Sequence, residues 1–199
     1  MAEVELTRKE IILREAAHLF REKGYAGTTL RGLAKRAGVQ GGSIYYHFSS
    51  KQEILMMIMV ETMTSLIERV RLEIDVGETP LEKLRNAVKF HIEYHTNDRD
   101  ETYVADAELR SLEPENHQKI VEMRRSYERI FRDILRAGIH QGCMEISNVP
   151  LAARALLQMC TGISYWYSSS GPDSIDTIVD SYVNLFLYGL CGKINGGDI

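Results

Sequence analysis

Cysteine is scarce in this chain. Cys143, Cys160 and Cys191 are the only three in 199 residues. They are odd in number and far apart, with no CxxC spacing, which excludes a disulfide framework and a cysteine zinc site. Small buried hydrophobes in helices are what such cysteines usually are. Uninterrupted apolar runs are short as well, and none reaches the length of a membrane span. The opening MAEVELTRKE is too charged for a signal peptide. These absences lead us to expect a cytoplasmic location. Sustained alternation of β-branched residues is also missing, so strands are not expected. What remains is 44% hydrophobic and 26% charged, ordinary for a globular protein. At this length a real core can be buried without staples.

The net charge of −4 argues against a nucleic-acid partner, but its distribution answers that. Nine basic and five acidic residues occur up to Lys51, against 15 basic and 23 acidic afterwards. A basic head on an acidic body suits binding of DNA by one end.

The chain reads as helices throughout. Thr7 with Glu10, Ser50 with Glu53 and Thr79 with Glu82 have the capping-box spacing. Pro80 suits a first helical position, where its missing N–H costs nothing. The first helix is expected from Arg8 to Lys23, with Ile12, Ala16, Leu19 and Phe20 inward and Gly24 ending it. A long helix is expected from Lys51 to about Asp75, with Leu55, Ile58, Met59, Thr62, Leu66 and Val70 as its apolar stripe. Further helices are expected near 80–97, 101–112, 115–141, 149–169 and 173–191, and Asn195 to Ile199 are expected to fray.

Between the first helix and the long one lies TLRGLAKRAGVQGGSIYYHFSSK, Thr29 to Lys51. Leu30, Leu33, Ala34 and Ala37 share one helical face. Gly38-Val39 breaks that helix, and a very short second helix follows with Ile44 and Phe48 inward. Two helices across a tight glycine turn are the sequence form of a helix-turn-helix, whose second helix enters the major groove. At 100° per residue, Tyr46 points opposite Ile44 and Phe48, with Gly42 and Ser43 on the same outer side and Tyr45 and His47 on the flanks. Phe48 belongs to the core, and Tyr45 is expected both to pack and to reach outward. Thr29 is the expected cap of the first helix, Lys51 adds charge, and Arg31 suits a bidentate contact with guanine.

These residues resemble the N-terminal domain of the TetR family of bacterial transcriptional regulators. The resemblance rests on GYAGTT ending the first helix, then LAxxAGV, then SIYYHFxxK. It implies an all-α homodimer with an N-terminal three-helix DNA-binding domain, residues 1–50, and a C-terminal helical ligand-binding and dimerisation domain, residues 51–199. It implies that Thr29, Arg31, Gln40, Gly41, Gly42, Ser43, Tyr45, Tyr46, His47 and Lys51 occupy DNA-contacting positions. Members often carry Ser where Gln40 stands and a polar or basic residue where Gly41 stands. The departure implies close backbone approach to phosphate, with side-chain readout moved onto Arg31, Gln40, Ser43 and Tyr46.

Beyond residue 80, ELRSLEPENHQKIVEMRRSYERIFRDIL and GISYWYSSSGPDSIDTIVDSYVNLFLYGL are similar to one branch of the same family. That branch responds to acyl-CoA thioesters. The similarity implies an acyl-CoA effector, no cofactor and no catalysis. Arginines suit the CoA phosphates and an aromatic face its adenine. Arg110, Arg124, Arg125, Tyr127 and Trp166 are the candidates, although the arginines sit among acids that would make an ordinary solvated face. Most of the many Met and Tyr residues are expected to fill core. The last two long helices are apolar on more than one face, which predicts a four-helix interface between two copies.

His91 and His95, four apart, share a helical face and raise a metal site that Asp106 or Glu108 would complete. The HExxH order is absent, so pocket-wall or solvated histidines are the better reading and no metal is assigned. A helical metal hydrolase is the enzyme alternative, and it lacks a nucleophile motif and a phosphate loop. A DNA-bound protein–protein adaptor that senses no small molecule is the other alternative. It predicts a solid core with an exposed apolar patch, where a sensor predicts a cavity.

Overall fold

A computed structural model describes residues 6–97 and 99–189, except for the Arg99 side chain. The described residues are helical, as expected. The helices are α1 (Arg8–Gly27), α2 (Leu30–Arg36), α3 (Gly41–His47), α4 (Lys51–Asp75), α5 (Pro80–Asn97), α6 (Arg99–Ala107), α7 (Pro114–His140), α8 (Val149–Thr161) and α9 (Ile175–Tyr188). Two 3-10 turns, Leu109–Ser111 and Gly162–Tyr165, complete them. Leu190, Cys191 and the Asn195–Ile199 tail lie outside the described residues.

Local signals set most boundaries. Thr7 and Glu10 form the full capping box: the Glu10 N–H donates to Thr7 Oγ1 (3.3 Å) and Thr7 N–H to the Glu10 carboxylate (2.7 Å). Thr79 and Glu82 do the same at α5. The third box differs. Glu53 N–H donates to Ser50 Oγ (3.1 Å), but the Glu53 carboxylate passes Ser50 and takes both the N–H and the hydroxyl of Ser49 (2.6 Å each). The reciprocal half of this box therefore closes one residue earlier than its spacing implies.

Two expected helices stop early. The stretch expected as one helix over 101–112 turns to 3-10 geometry at Leu109. The helix expected to run to 169 ends at Thr161, where Gly162 follows and Ser164 turns its hydroxyl back onto the Thr161 carbonyl (2.9 Å). Trp166 and Tyr167 therefore lie beyond the helix, and Trp166 is 55% exposed.

The residues group into two compact units. One lies within Met1–Ser65 and Asp98–Arg124, the other within Leu66–Asn97 and Arg125–Ile199. The first is built on Ile12, Ala16, Phe20, Leu33, Ile44, Phe48, Ile54 and Leu55, joined by Val104, Leu112 and Ile120 from α6 to α7. The Asp100 carboxylate holds α6 to α1, accepting from Arg21 (2.6 Å) and meeting the His18 ring (2.8 Å). In the second unit, α5 is tied to α9 by the Arg85–Asp180 (2.9 Å) and Lys89–Asp176 (2.7 Å) ion pairs. Among the described residues no helix is long and apolar enough to cross a membrane.

Candidate nucleic-acid interface

The reader stands on a closed apolar floor. Leu33 and Ala34 from α2, with Ile44 and Phe48 from α3 and its end, are buried against Ile12, Ala16 and Phe20 of α1. Gly24 has φ +73, a conformation that favours glycine, and it interrupts the helical backbone of α1. The buried Thr28 hydroxyl donates to the Gly24 carbonyl (3.0 Å) and closes that end. Thr29 caps α2 as expected, accepting from Gly32 N–H at 3.1 Å. Gly38, at φ +66, ends α2 with the Val39 N–H on the Ala34 carbonyl (3.0 Å), the six-to-one bond of a Schellman motif.

α3 enters on Gln40, whose side chain makes no capping bond. A Cβ placed on Gly41 or Gly42 would meet nothing within 4 Å, so the fold itself does not demand glycine there. Tyr46 is 85% exposed and Tyr45 64% exposed, while Ser43 and His47 are half-buried. The His47 ring stands edge-on to Tyr46, 5.0 Å between centroids. The packing role expected for Tyr45 is thus slight. Arg31 is exposed on α2.

Lys51 is placed differently from its neighbours. Its ammonium donates to the carbonyls of Tyr25 (2.7 Å) and Thr28 (2.8 Å) and lies 4.2 Å from the Tyr25 ring centre. Two of its three donors are spent satisfying the end of α1. Partial burial lowers its pKa, and the nearby Glu108 opposes that. Glu108 in turn accepts from Tyr25 N–H (2.9 Å) and the Ser111 hydroxyl (2.6 Å).

The five effector candidates are not gathered into one unit. Arg110 and Arg124 belong to the first, and Arg125, Tyr127 and Trp166 to the second. Arg110 and Arg125 are exposed. Arg124 is bonded to the Ala105 carbonyl and pairs with Asp106 (3.1 Å). Tyr127 is buried, and its hydroxyl meets His91 Nδ1 at 3.0 Å.

That bond opens a polar chain that sequence reasoning missed. His91 Nε2 meets the Thr161 hydroxyl at 3.0 Å, and His95 Nδ1 donates to the His91 carbonyl at 3.0 Å. The two imidazoles stack, 4.1 Å between centroids, with Phe131 edge-on to His91. Both histidines are buried, which excludes the solvated reading. Burial, reinforced by His95, drives the His91 pKa well down, and burial drives the Tyr127 pKa well up. Cys160 is also pushed up, to about 12, by burial. The i, i+4 spacing signalled a shared face, but not that the face points into the core. No group of three metal-ligating side chains occurs among the described residues. The carboxylates considered as completing ligands are engaged elsewhere, Asp106 with Arg124 and Glu108 with Tyr25 and Ser111.

A two-helix reader on a three-helix core, carried by a longer helical body, defines a DNA-binding transcription regulator of the helix-turn-helix class. The family model for bacterial regulatory proteins of the tetR family matches residues 12–56, and that for the tetracyclin repressor-like C-terminal domain matches 77–190. The chain belongs to the TetR family. It is accordingly a regulator of transcription governed by a small-molecule effector, not an enzyme. It is 30% identical to the fatty acid metabolism regulator protein of Bacillus subtilis, over 92% of this chain and 95% of that protein. The transcriptional repressor KstR2 of Mycolicibacterium smegmatis is 27% identical, over 92% of this chain and 91% of the other. Among solved structures, PfmR from Thermus thermophilus superposes with a TM-score of 0.82 at 34% identity, covering 90% of this chain and 98% of PfmR.

Proposed function

We propose that this protein is a repressor that holds a pseudo-palindromic operator as a homodimer and releases it on binding an acyl-CoA thioester. The observation that carries the DNA half is the outer face of α3. Exposed Tyr45 and Tyr46 and an open Gly41-Gly42 backbone stand above a core they do not help to build. In this reading residues 1–50 are the DNA-binding domain and 51–199 the effector and dimerisation domain. Thr29, Tyr45, Tyr46 and His47 contact phosphates, and the backbone at Gly41 and Gly42 approaches the strand closely. Arg31, Gln40, Ser43 and Tyr46 choose the sequence. Lys51 keeps one donor for a phosphate while its other two fix the end of α1. Two such readers would contact half-sites a DNA turn apart or more. α4, which starts at the reader, carries the signal that changes their separation.

The effector half rests on the similarity to a fatty acid metabolism regulator. Arg110, Arg124, Arg125, Tyr127 and Trp166 are the residues we assign to the ligand. Arg124 would have to exchange its present bond to Asp106 for a CoA phosphate. The dimer is assigned to α8 and α9: Leu151 is 61% exposed, and Leu185 and Tyr188 are exposed too, an apolar surface that a second copy would cover. The location is cytoplasmic, where DNA and acyl-CoA meet.

The test combines native mass spectrometry of the purified protein with gel shifts on its own promoter region. A dimer mass, retained or added acyl-CoA, and loss of the shift on adding it are expected. Arg31→Ala should cost about 1–3 kcal/mol at one operator position and relax the preference there. Unchanged operator preference in that variant sinks the assignment of Arg31, and a panel of acyl-CoAs that neither binds nor releases DNA sinks the effector.

A further inference from the structure

The first unit contains a groove of about 380 Å³ between the second half of α1 and the outer side of α2. Lys23 and Gly27 line it from α1, and Thr29, Gly32, Lys35 and Arg36 from α2 and its cap. Its cations are not equivalent. Arg36 is neutralised at 2.9 Å by Glu15 and at 3.3 Å by Glu22, which also pins α2 to α1. Lys23 and Lys35 pair with no acid among the described residues, and both are exposed. The floor is kept low by glycine. Inside α2, glycine is less favourable than alanine by about 1 kcal/mol. A Cβ at Gly32 would nevertheless sit 3.2 Å from Thr29 Oγ1, crowding the hydroxyl that caps the helix. The result is a recess with two uncompensated ammonium groups on its walls and a hydroxyl at its edge.

We infer that this groove holds backbone phosphate of the DNA outside the bases that α3 reads, with Lys23 and Lys35 as its phosphate ligands. The inference rests on the DNA-reading proposal above and extends it to two residues outside the DNA-contacting positions that the family resemblance implies. Lysine is suited to this task because it neutralises a phosphate as a point charge and carries no base information. The groove therefore adds affinity and orientation without sequence choice.

The test is the salt dependence of binding to a 30-base-pair duplex of arbitrary sequence. It compares the full-length protein, Lys23→Ala/Lys35→Ala, Lys23→Arg/Lys35→Arg, and the control Lys83→Ala/Lys119→Ala, which removes the same charge elsewhere. Losing two phosphate contacts lowers the slope of log K against log salt by about 1.8 for each reader engaged, a roughly tenfold effect between 50 and 200 mM. We expect that loss in Lys23→Ala/Lys35→Ala alone, rescue by arginine, and unchanged thermal unfolding. An unchanged slope with intact binding overturns the groove and leaves the reader standing. Failure of the unaltered protein to bind any duplex at 50 mM salt overturns the reader, and the ligand named here with it. Saturable binding of inorganic phosphate that needs both lysines, together with an unchanged duplex slope, overturns the DNA assignment in favour of a free phosphate compound.

Discussion

The reader and the second unit put their polar groups in opposite places. In the reader, Tyr45, Tyr46 and Arg31 stand outside while Ile44 and Phe48 close the floor beneath them. In the second unit, His91, Tyr127 and Thr161 form a hydrogen-bonded chain within a packed interior. The difference teaches where each region tolerates change. Outward groups can be altered without touching the fold, because nothing inside depends on them. A buried imidazole whose two ring nitrogens each meet a hydroxyl depends on both, since a buried polar atom that loses its partner keeps the whole cost of desolvation.

The largest effect that would break this contrast is expected at Phe48. Phe48→Ala should cost about 3–5 kcal/mol in chemical unfolding, as a fully buried aromatic lost from a small core. Tyr46→Ala, two residues away, should move stability by less than about 0.5 kcal/mol while weakening duplex binding. A comparable stability loss in the two would erase the distinction between floor and face.

In the second unit, Tyr127→Phe removes only an oxygen. It should still cost about 1–3 kcal/mol by leaving His91 Nδ1 without its partner. Chemical unfolding that shows no change would mean that water or another group takes over.

The same histidine predicts a pH response of somewhat smaller size. Its folded pKa lies well below 6.5, so below pH 6.5 the unfolded chain binds a proton that the folded chain refuses. Stability from this group is complete above pH 6.5. It falls as pH drops from there toward the depressed folded value, by up to about 1.4 kcal/mol per pH unit. Unfolding midpoints of the unaltered protein and His91→Asn between pH 7.5 and 5 measure it. A slope equal in both overturns the role given to His91.

The smallest effect belongs to the glycine pair. Gly42→Ala should raise stability by up to about 1 kcal/mol, because alanine suits a helix better and meets no neighbour. If DNA backbone approaches there, the same methyl should weaken duplex binding. A variant that is more stable and binds DNA unchanged removes the glycine pair from the interface.

Much of the architecture was legible in the chain because its causes are local. A hydroxyl three residues before an acid, apolar residues at i, i+3, i+4 and i+7, and a glycine after Ala37 act within one turn. Hence α1, α4, α5 and the two complete capping boxes follow the sequence reading. The helix-turn-helix was legible for the same reason. The breaks at Leu109 and Gly162 were not, because apolar periodicity continues across them while the backbone does not. Glu53 shows the limit on a small scale: its spacing named Ser50, and the carboxylate closes on Ser49 instead, a choice between adjacent serines that spacing alone does not encode.

By itself, then, the sequence determined an all-helical chain, a reader near its basic end and membership of a family. Periodicity, capping and motif spacing are properties of neighbouring residues. Tertiary structure alone decided what each charged or polar side chain is doing. It turned Lys51 inward onto the carbonyls of Tyr25 and Thr28, some two dozen positions back. It buried His91 and His95 as a stacked pair held by Tyr127 and Thr161. It left Lys23 and Lys35 facing an open groove while Arg36 was spent on Glu15 and Glu22. A side chain's charge is written in the chain, but the partners that use it are assembled only by folding.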